Sequence, residues 1–203
     1  MATLITDPKL EQQLRAERAE RGGDRFDEVW EGTYLMNPIP NPEHMALQGN
    51  LVWAFKNVLI AVPAIVYPGI NVSDRADDWT KNYRCPDVAV VLPGGIAQER
   101  AAYYLGGPDF IVEIISPHDR SREKISFYGQ IGVRELLLVD RDPWGLELYR
   151  LQGGELKPAG ESRLEQPDIL RSAVLPLSLR FVPGDPRPQI EVRHADGVQR
   201  WHA

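Results

Sequence analysis

A single cysteine, Cys85, stands in this chain of 203 residues. An internal disulfide framework is therefore excluded, and a reducing, cytoplasmic setting is the expectation. Long apolar runs are missing as well. None approaches the roughly 20 residues needed to cross a bilayer, and the first residues lack a basic stretch leading into an apolar core, so no signal peptide is expected. Positive charge is in short supply, with 23 Lys and Arg against 29 Asp and Glu and a net charge of −6. That balance argues against non-specific coating of nucleic acid, while leaving room for local contact through a metal ion and a few cations. The four histidines and Cys85 show no zinc-ligand spacing. "LPGGIAQER" lacks the Lys-Ser/Thr ending of a phosphate-binding loop. The tryptophans are scattered, without a stacking ladder for single strands. Repeats and low-complexity tracts are absent. What is present is ordinary globular composition, 43% hydrophobic and 26% charged.

The order of segments predicts a mixed α/β sheet with a helix on each side. Residues 8 to 21 are polar and helix-favouring, stopped by Gly22-Gly23. "RFDEVWEGTYLM" alternates about Gly32 as a strand or small hairpin. A helix from about Pro42 to Ala61 follows, with Asn41 as N-cap and Leu47, Leu51, Ala54 and Val58 on one face. "AIVYPGINVS", "CPDVAVVLPG" and "DFIVEIIS" each predict a strand, "SREKISFYGQIG" a helix, and "ELLLVDRDPWGLELYRL" two strands about a turn at Asp142-Pro143. Further strands are expected near Glu155 to Pro158 and in "SAVLPLSLRF". The expected organisation is an N-terminal helical extension over 1–25, a main domain over 26–182, and a loosely attached tail or peripheral hairpin over 183–203.

Chemistry concentrates where Glu113 interrupts the apolar run Phe110-Ile111-Val112-Ile114-Ile115. A strand buried on both faces rarely tolerates an unpaired charge. If "PDVAVVL" pairs antiparallel with "DFIVEII", setting Leu92 opposite Phe110, Asp87 falls opposite Ile115 and Ala89 opposite Glu113. Asp87 and Glu113 then share a face. Two such carboxylates repel unless a cation lies between them, and Mg²⁺ (or Mn²⁺) is the natural occupant. Lys124, Tyr128 and Ile131 follow helical spacing, which turns Lys124 toward the same strand end. Two acids, a metal and a lysine suit attack of water on a phosphodiester, the lysine orienting or deprotonating the nucleophile.

"DEVWEGTYLMNPIPNPEH", "RCPDVAVV" and "FIVEIISPHDRSREKISFYGQIGVRELLLVD" resemble the Uma-type (Uma-two) endonuclease family, within the restriction-endonuclease-like PD-(D/E)XK superfamily. The resemblance spans roughly residues 27 to 180. It implies an αβββαβ core and a metal-dependent nuclease site acting on DNA, in which Asp87 matches the aspartate of "PD" and Glu113 the acid of "(D/E)XK". The lysine position two residues after that acid holds Ile115, and Lys124 on the following helix is the expected substitute. Glu31 and His44 lie where the family has an acid and a histidine near the first helix. Arg84 and Asp119 are further candidates for supporting or phosphate-contacting roles. Enzymes of this kind often need two sites to cut a duplex, which makes a homodimer an expectation.

Plainer readings stand beside these. Glu113 in a buried ion pair with Arg84 or Lys124, Asp87 as a strand-edge cap after Pro86, and His44 as a surface residue of the helix start are each ordinary. Ser116, His118 and Asp119 lie too close together for a hydrolytic triad, whose members converge from separate segments. The alternative to an endonuclease is an inactive member of the same fold used as an interaction or assembly module. A carboxylate-pair glycosidase is a third reading, and it predicts activity without metal.

Overall fold

The computed structural model describes residues 3–116 and 120–203. Strand β1 (Thr3–Ile5) and helix α1 (Pro8–Glu20) precede the hairpin of β2 (Glu28–Trp30) and β3 (Thr33–Met36), and helix α2 (Pro42–Val58) follows. Short strands β4 (Ile65–Tyr67), β5 (Val72–Ser73) and β6 (Tyr83–Arg84) lead into β7 (Val88–Val91). Strands β8 (Gln98–Glu99) and β9 (Tyr104–Leu105) decorate the loop before β10 (Phe110–Ile114). A 3₁₀ turn at Ser121–Lys124 runs into the short helix α3 (Ile125–Gln130), followed by β11 (Glu135–Arg141), β12 (Trp144–Gln152) and β13 (Glu155–Arg163). Strands β14 (Leu170–Arg171), β15 (Leu177–Val182), β16 (Gln189–His194) and β17 (Arg200–His202) complete the chain. Among the described residues no helix is long and apolar enough to cross a membrane.

The centre is a six-stranded sheet of order β13-β12-β11-β10-β7-β4. Every residue of β10 is buried, because β10 runs parallel to β11 and antiparallel to β7 with cover on both faces. Its even-numbered side chains Phe110, Val112 and Ile114 join one core with Leu51, Phe55 and Val58 of α2 and with Leu177, Leu179, Phe181, Ile190 and Val192 of the C-terminal sheet. Phe55 meets Phe110 edge to face with centroids 5.7 Å apart, a geometry worth about 1 kcal/mol beyond area burial. The odd-numbered side chain Ile111 faces the second core, formed with Phe127, Tyr128 and Ile131 at α3 and with Val72 and Tyr104. The mixed sheet with a helix on each side is the expected architecture.

Local chemistry explains the element ends. The Asn41 side chain accepts from the backbone N–H of His44 at 2.9 Å and caps α2, with Pro42 in its first turn. The β2–β3 hairpin turns at Glu31 (φ 46°) and Gly32 (φ 82°), the paired left-handed conformation that matches strand twist. Gly107 is required by contact: a Cβ there would lie 2.4 Å from the Val133 amide nitrogen.

Several expectations need correction. "AIVYPGINVS" is two strands in different sheets, split by Pro68 and by Gly69 at φ 83°. α2 ends at Val58, and the strand expected near Glu155 to Pro158 is β13, which extends to Arg163. The β7–β10 register differs by two residues: Phe110 pairs with Val90, Ile111 with Ala89 and Val112 with Val88. One more step sets Asp87 opposite Glu113, where Ala89 had been expected. A shift of two preserves the face of every side chain, since strand alternation has period two. At the far end of the chain, Ile190 and Val192 are fully buried and the terminal Ala203 exchanges both backbone hydrogen bonds with Ile190. The last 15 residues thus form a hairpin, the second of the two expected forms, but one bound into the main core where a peripheral one had been expected.

Candidate active site

Asp87 lies at the entry to β7 and Glu113 near the exit of β10, and both line a cavity of about 270 Å³. The carboxylate of Asp87 is held from two sides. Its Oδ2 accepts from the Ile114 backbone N–H at 2.6 Å, and its Oδ1 lies 2.8 Å from His44 Nε2. Gln48, one turn along α2 from His44, donates to the Asp87 carbonyl at 2.6 Å. The helix cap at Asn41 sets the position of His44, which is buried at the first turn of α2, where a surface histidine would have been ordinary.

Glu113 meets Lys124 as the helical spacing foretold. Lys124 Nζ donates to both carboxylate oxygens at 3.1 Å, and the Tyr128 hydroxyl donates to Oε1. All three side chains are buried. The buried ion pair weighed as the plainer reading of Glu113 is therefore formed with Lys124, and not with Arg84. Lys124 also lies 2.8 Å from Oε1 of Glu28, a residue that sequence reasoning passed over. Glu28 is nine-tenths or more buried and is held by the Trp30 indole N–H at 2.7 Å and the Cys85 amide at 3.0 Å. Two carboxylates, Glu28 and Glu113, thus share one ammonium, and Asp87 adds its charge to the field around it.

This crowding sets the proton affinities. Burial pushes the Glu113 carboxyl up to about 8; the Lys124 charge opposes that rise, while Asp87 and Glu28 add to it. Burial alone would lower Lys124, but the carboxylates of Glu113, Glu28 and Asp87 outweigh it and hold the ammonium above its ordinary range. A lysine so held keeps its proton at neutral pH.

Glu31 and Arg84 fall outside the cluster. Glu31 sits at the tip of the β2–β3 turn, largely exposed, where it binds Arg75 at 2.6 Å and the Asn82 side chain at 2.7 Å. The acid that reaches the cavity from this hairpin is Glu28, three residues earlier. A local signal existed, since Asp27 and Glu28 open an apolar strand and point to opposite faces. Asp27 is likewise buried, taken up by Arg18 and Tyr34. Arg84 is buried beneath the cluster with its guanidinium 4.5 Å from the Trp30 ring centroid and 4.2 Å from that of Phe127. It donates to the carbonyls of Val29 and Tyr83 and buttresses the site from behind. Asp119 and His118 lie outside the described residues. Two arginines not anticipated, Arg120 and Arg141, line the cavity rim. Arg141 donates to Ser116 Oγ at 3.0 Å and to the Ile115 carbonyl at 3.2 Å. Ser116 Oγ is also 3.5 Å from His44 Nδ1, a separation too long for an activated nucleophile.

Among the described residues no group of three or more His, Cys, Asp or Glu side chains is arranged to hold a metal ion. Glu28 and Glu113 are drawn onto Lys124 and Asp87 onto His44, so the acids face their partners. The donor chemistry nonetheless fits a hard ion. Mg²⁺ is commonly held by one or two carboxylates and keeps several waters. Asp87 and Glu113 supply such a pair on one face, beside an open cavity.

No curated protein matches the chain. A crystal structure titled as that of a "putative nuclease" from Anabaena variabilis aligns with TM-score 0.56 and 22% identity, covering 72% of this chain and 80% of that one. It supports the fold, consistent with a restriction-endonuclease-like core. Residues 10–183 match the Uma2 family, described as "Putative restriction endonuclease", and on that match over most of its length the chain belongs to this family.

Proposed function

We propose that the protein is a metal-dependent endonuclease that hydrolyses phosphodiester bonds of DNA, with Asp87 and Glu113 as the ligands of Mg²⁺ or Mn²⁺ and Lys124 as the cationic partner. One observation carries this reading. Two buried carboxylates, Glu28 and Glu113, share a single directly bonded ammonium beside a cavity that the half-buried Asp87 also lines, leaving negative charge for which a divalent cation is the complement. When bound, such an ion polarises a phosphate oxygen and lowers the pKa of a water.

The chain's own groups do the rest. His44 and the Ile114 amide fix the orientation of Asp87, and Tyr128 fixes that of Glu113. Lys124, kept protonated by its carboxylates, orients the attacked group and offsets its charge; general-base work falls elsewhere. Arg120 and Arg141 at the rim are suited to phosphate oxygens. Trp30 and the proline loop around Ile39 supply apolar lining to the same cavity.

The test is incubation of purified protein with plasmid, linear and single-stranded DNA in the presence of each metal, with Asp87→Ala and Glu113→Ala alongside. Loss of cleavage in both variants supports the reading, and unchanged cleavage in both sinks it. A second reading, an inactive member acting as an interaction module, is favoured by Ile115 at the usual lysine position and by the closed Lys124–Glu113–Glu28 contact. Calorimetry separates the two, since absence of Mg²⁺ and Mn²⁺ binding at millimolar concentration selects the second.

A further inference from the structure

Away from the carboxylate cavity, the outer face of the C-terminal sheet carries an unusual row. Arg171 pairs with Ser178, Ser178 with Arg193, and Arg193 with Arg200, so one residue from each of β14, β15, β16 and β17 stands in a line across the sheet. Directly paired residues project to the same side. The neighbouring line, Leu170, Leu179, Val192 and Trp201, packs into the core, so the arginine line points outward. Arg171, Arg193 and Arg200 are exposed. The adjacent outward line holds Arg180, Glu191 and His202, and there Arg180 is already paired with Glu191 at 2.8 Å.

The three outer arginines differ from most of their kind in this chain. Arg75, Arg120, Arg122, Arg134 and Arg163 each lie within ion-pair distance of a carboxylate. Among the described residues, no such pair involves Arg171, Arg193 or Arg200. Like charges directly opposite each other across strands are destabilising, yet Arg193 and Arg200 are placed so in a chain with six surplus negative charges. The guanidinium of Arg193 is steadied by the Gly197 carbonyl, at 3.1 and 2.6 Å. That contact fixes its place without neutralising it. A groove of about 370 Å³ runs beside the row, lined by Arg171, Ser178, Arg180 and Arg193. With strands about 4.8 Å apart, the row reaches about 14 Å, the length of about four base steps along one nucleic-acid strand.

We propose that this row is a docking surface for the phosphate backbone of duplex DNA, separate from the cavity that holds Asp87 and Glu113. The identity of the polyanion rests on the nuclease reading; the existence of an anion-binding face rests on the row alone. Guanidinium groups on a rigid sheet suit phosphate oxygens, and such contacts set position without reading sequence. The row supplies the cationic surface that the overall composition withholds.

The experiment measures binding of a short labelled duplex by fluorescence anisotropy, without divalent metal, over a range of salt. The full chain is compared with the triple variant Arg171→Gln, Arg193→Gln, Arg200→Gln. The expected result is an affinity loss of about tenfold or more and a shallower dependence of log K on log salt, by about 3. The triple Arg→Lys variant should keep most of the salt slope. Mn²⁺-dependent hydrolysis of bis(4-nitrophenyl) phosphate, too small to span both surfaces, should not change in either variant. Arg200→Gln alone, on the exposed edge strand, should lower the slope by about 1 and serves if the triple variant does not fold. Wild-type affinity in the Gln variants would overturn the proposal, as would polyglutamate competing as well as unlabelled duplex. DNA held through the row but left uncut with every metal would remove the nuclease reading and leave this surface standing. DNA that is cut normally, with binding unaffected by the Gln variants, would do the reverse.

Discussion

Two buried glutamates, Glu113 and Glu135, sit on adjacent parallel strands and show what separates a structural charge from a candidate site. Glu135, fully buried, opens β11 opposite Phe110, on the face toward α2. It is matched one to one, with Arg150 Nε at 2.8 Å, the Ala173 amide at 3.0 Å and the Ser172 hydroxyl closing the remaining position. Glu113 lies three residues further along β10 on the opposite face, and shares Lys124 with Glu28 while Asp87 stands across from it. Burial and a cationic partner are common to both. The difference is stoichiometry and access, because only Glu113 has more acids than ammonium groups around it and opens on a cavity at a strand's C-terminal end. An ion pair in a core is weak grounds for function; a core site with unbalanced charge is stronger.

The contrast can be broken directly. Asp87→Asn and Glu113→Gln are expected to cut metal-dependent DNA cleavage by about 10² to 10³ fold, whereas Glu135→Gln should leave activity per folded molecule within a few fold. Plasmid nicking at equal folded concentration decides, and equal losses in all three would erase the distinction. Stability should divide the other way. Glu135→Ala strands Arg150 and the Ser172 hydroxyl and should cost about 3 kcal/mol in denaturant unfolding, with a smaller cost for Glu113→Gln, whose neighbouring acids repel it.

Lys124→Met sharpens the comparison by removing the shared cation. Cleavage should fall about 10² fold, while Mn²⁺ affinity by calorimetry should be no weaker than in the wild type, since the ammonium no longer competes for the carboxylates. The smallest expected effect is on pH dependence. A proton and a metal ion compete for the same Glu113 oxygens, and the folded carboxyl titrates near 8. Mn²⁺ affinity should therefore rise with pH, about tenfold between pH 7 and a plateau above 8. A flat profile would mean that the ion binds without displacing the Glu113 proton.

Particular residues show where sequence reasoning reached and where it stopped. Phe110 to Ile114 announced a strand covered on both sides, Asn41-Pro42 a helix start, and Lys124, Tyr128 and Ile131 a helix face turned inward; each depends on local periodicity or capping. The pairing of Asp87 with Glu113 was found in the right parity but two residues off, since the loop over 93–108 sets no register of its own. Glu28 was missed and Glu31 favoured because their separation depends on the hairpin turning at Glu31-Gly32 and on β2 lying against β6. The arginine row was invisible for the same reason. Residues 171, 178, 193 and 200 align only once four strands have paired.

Alternation and spacing along the chain were enough to specify which side chains face inward, because backbone geometry repeats every 2 or 3.6 residues wherever a segment forms. They also brought Lys124 to the side of the sheet that carries Glu113. What folding alone decided was the count of charges at each place: two acids on one ammonium with a third lining the same cavity, and, among the described residues, guanidinium groups without a carboxylate partner in a line on the far sheet. That count is a property of contacts between segments distant in sequence, and charge interactions take their strength from separation and burial, which no single segment contains.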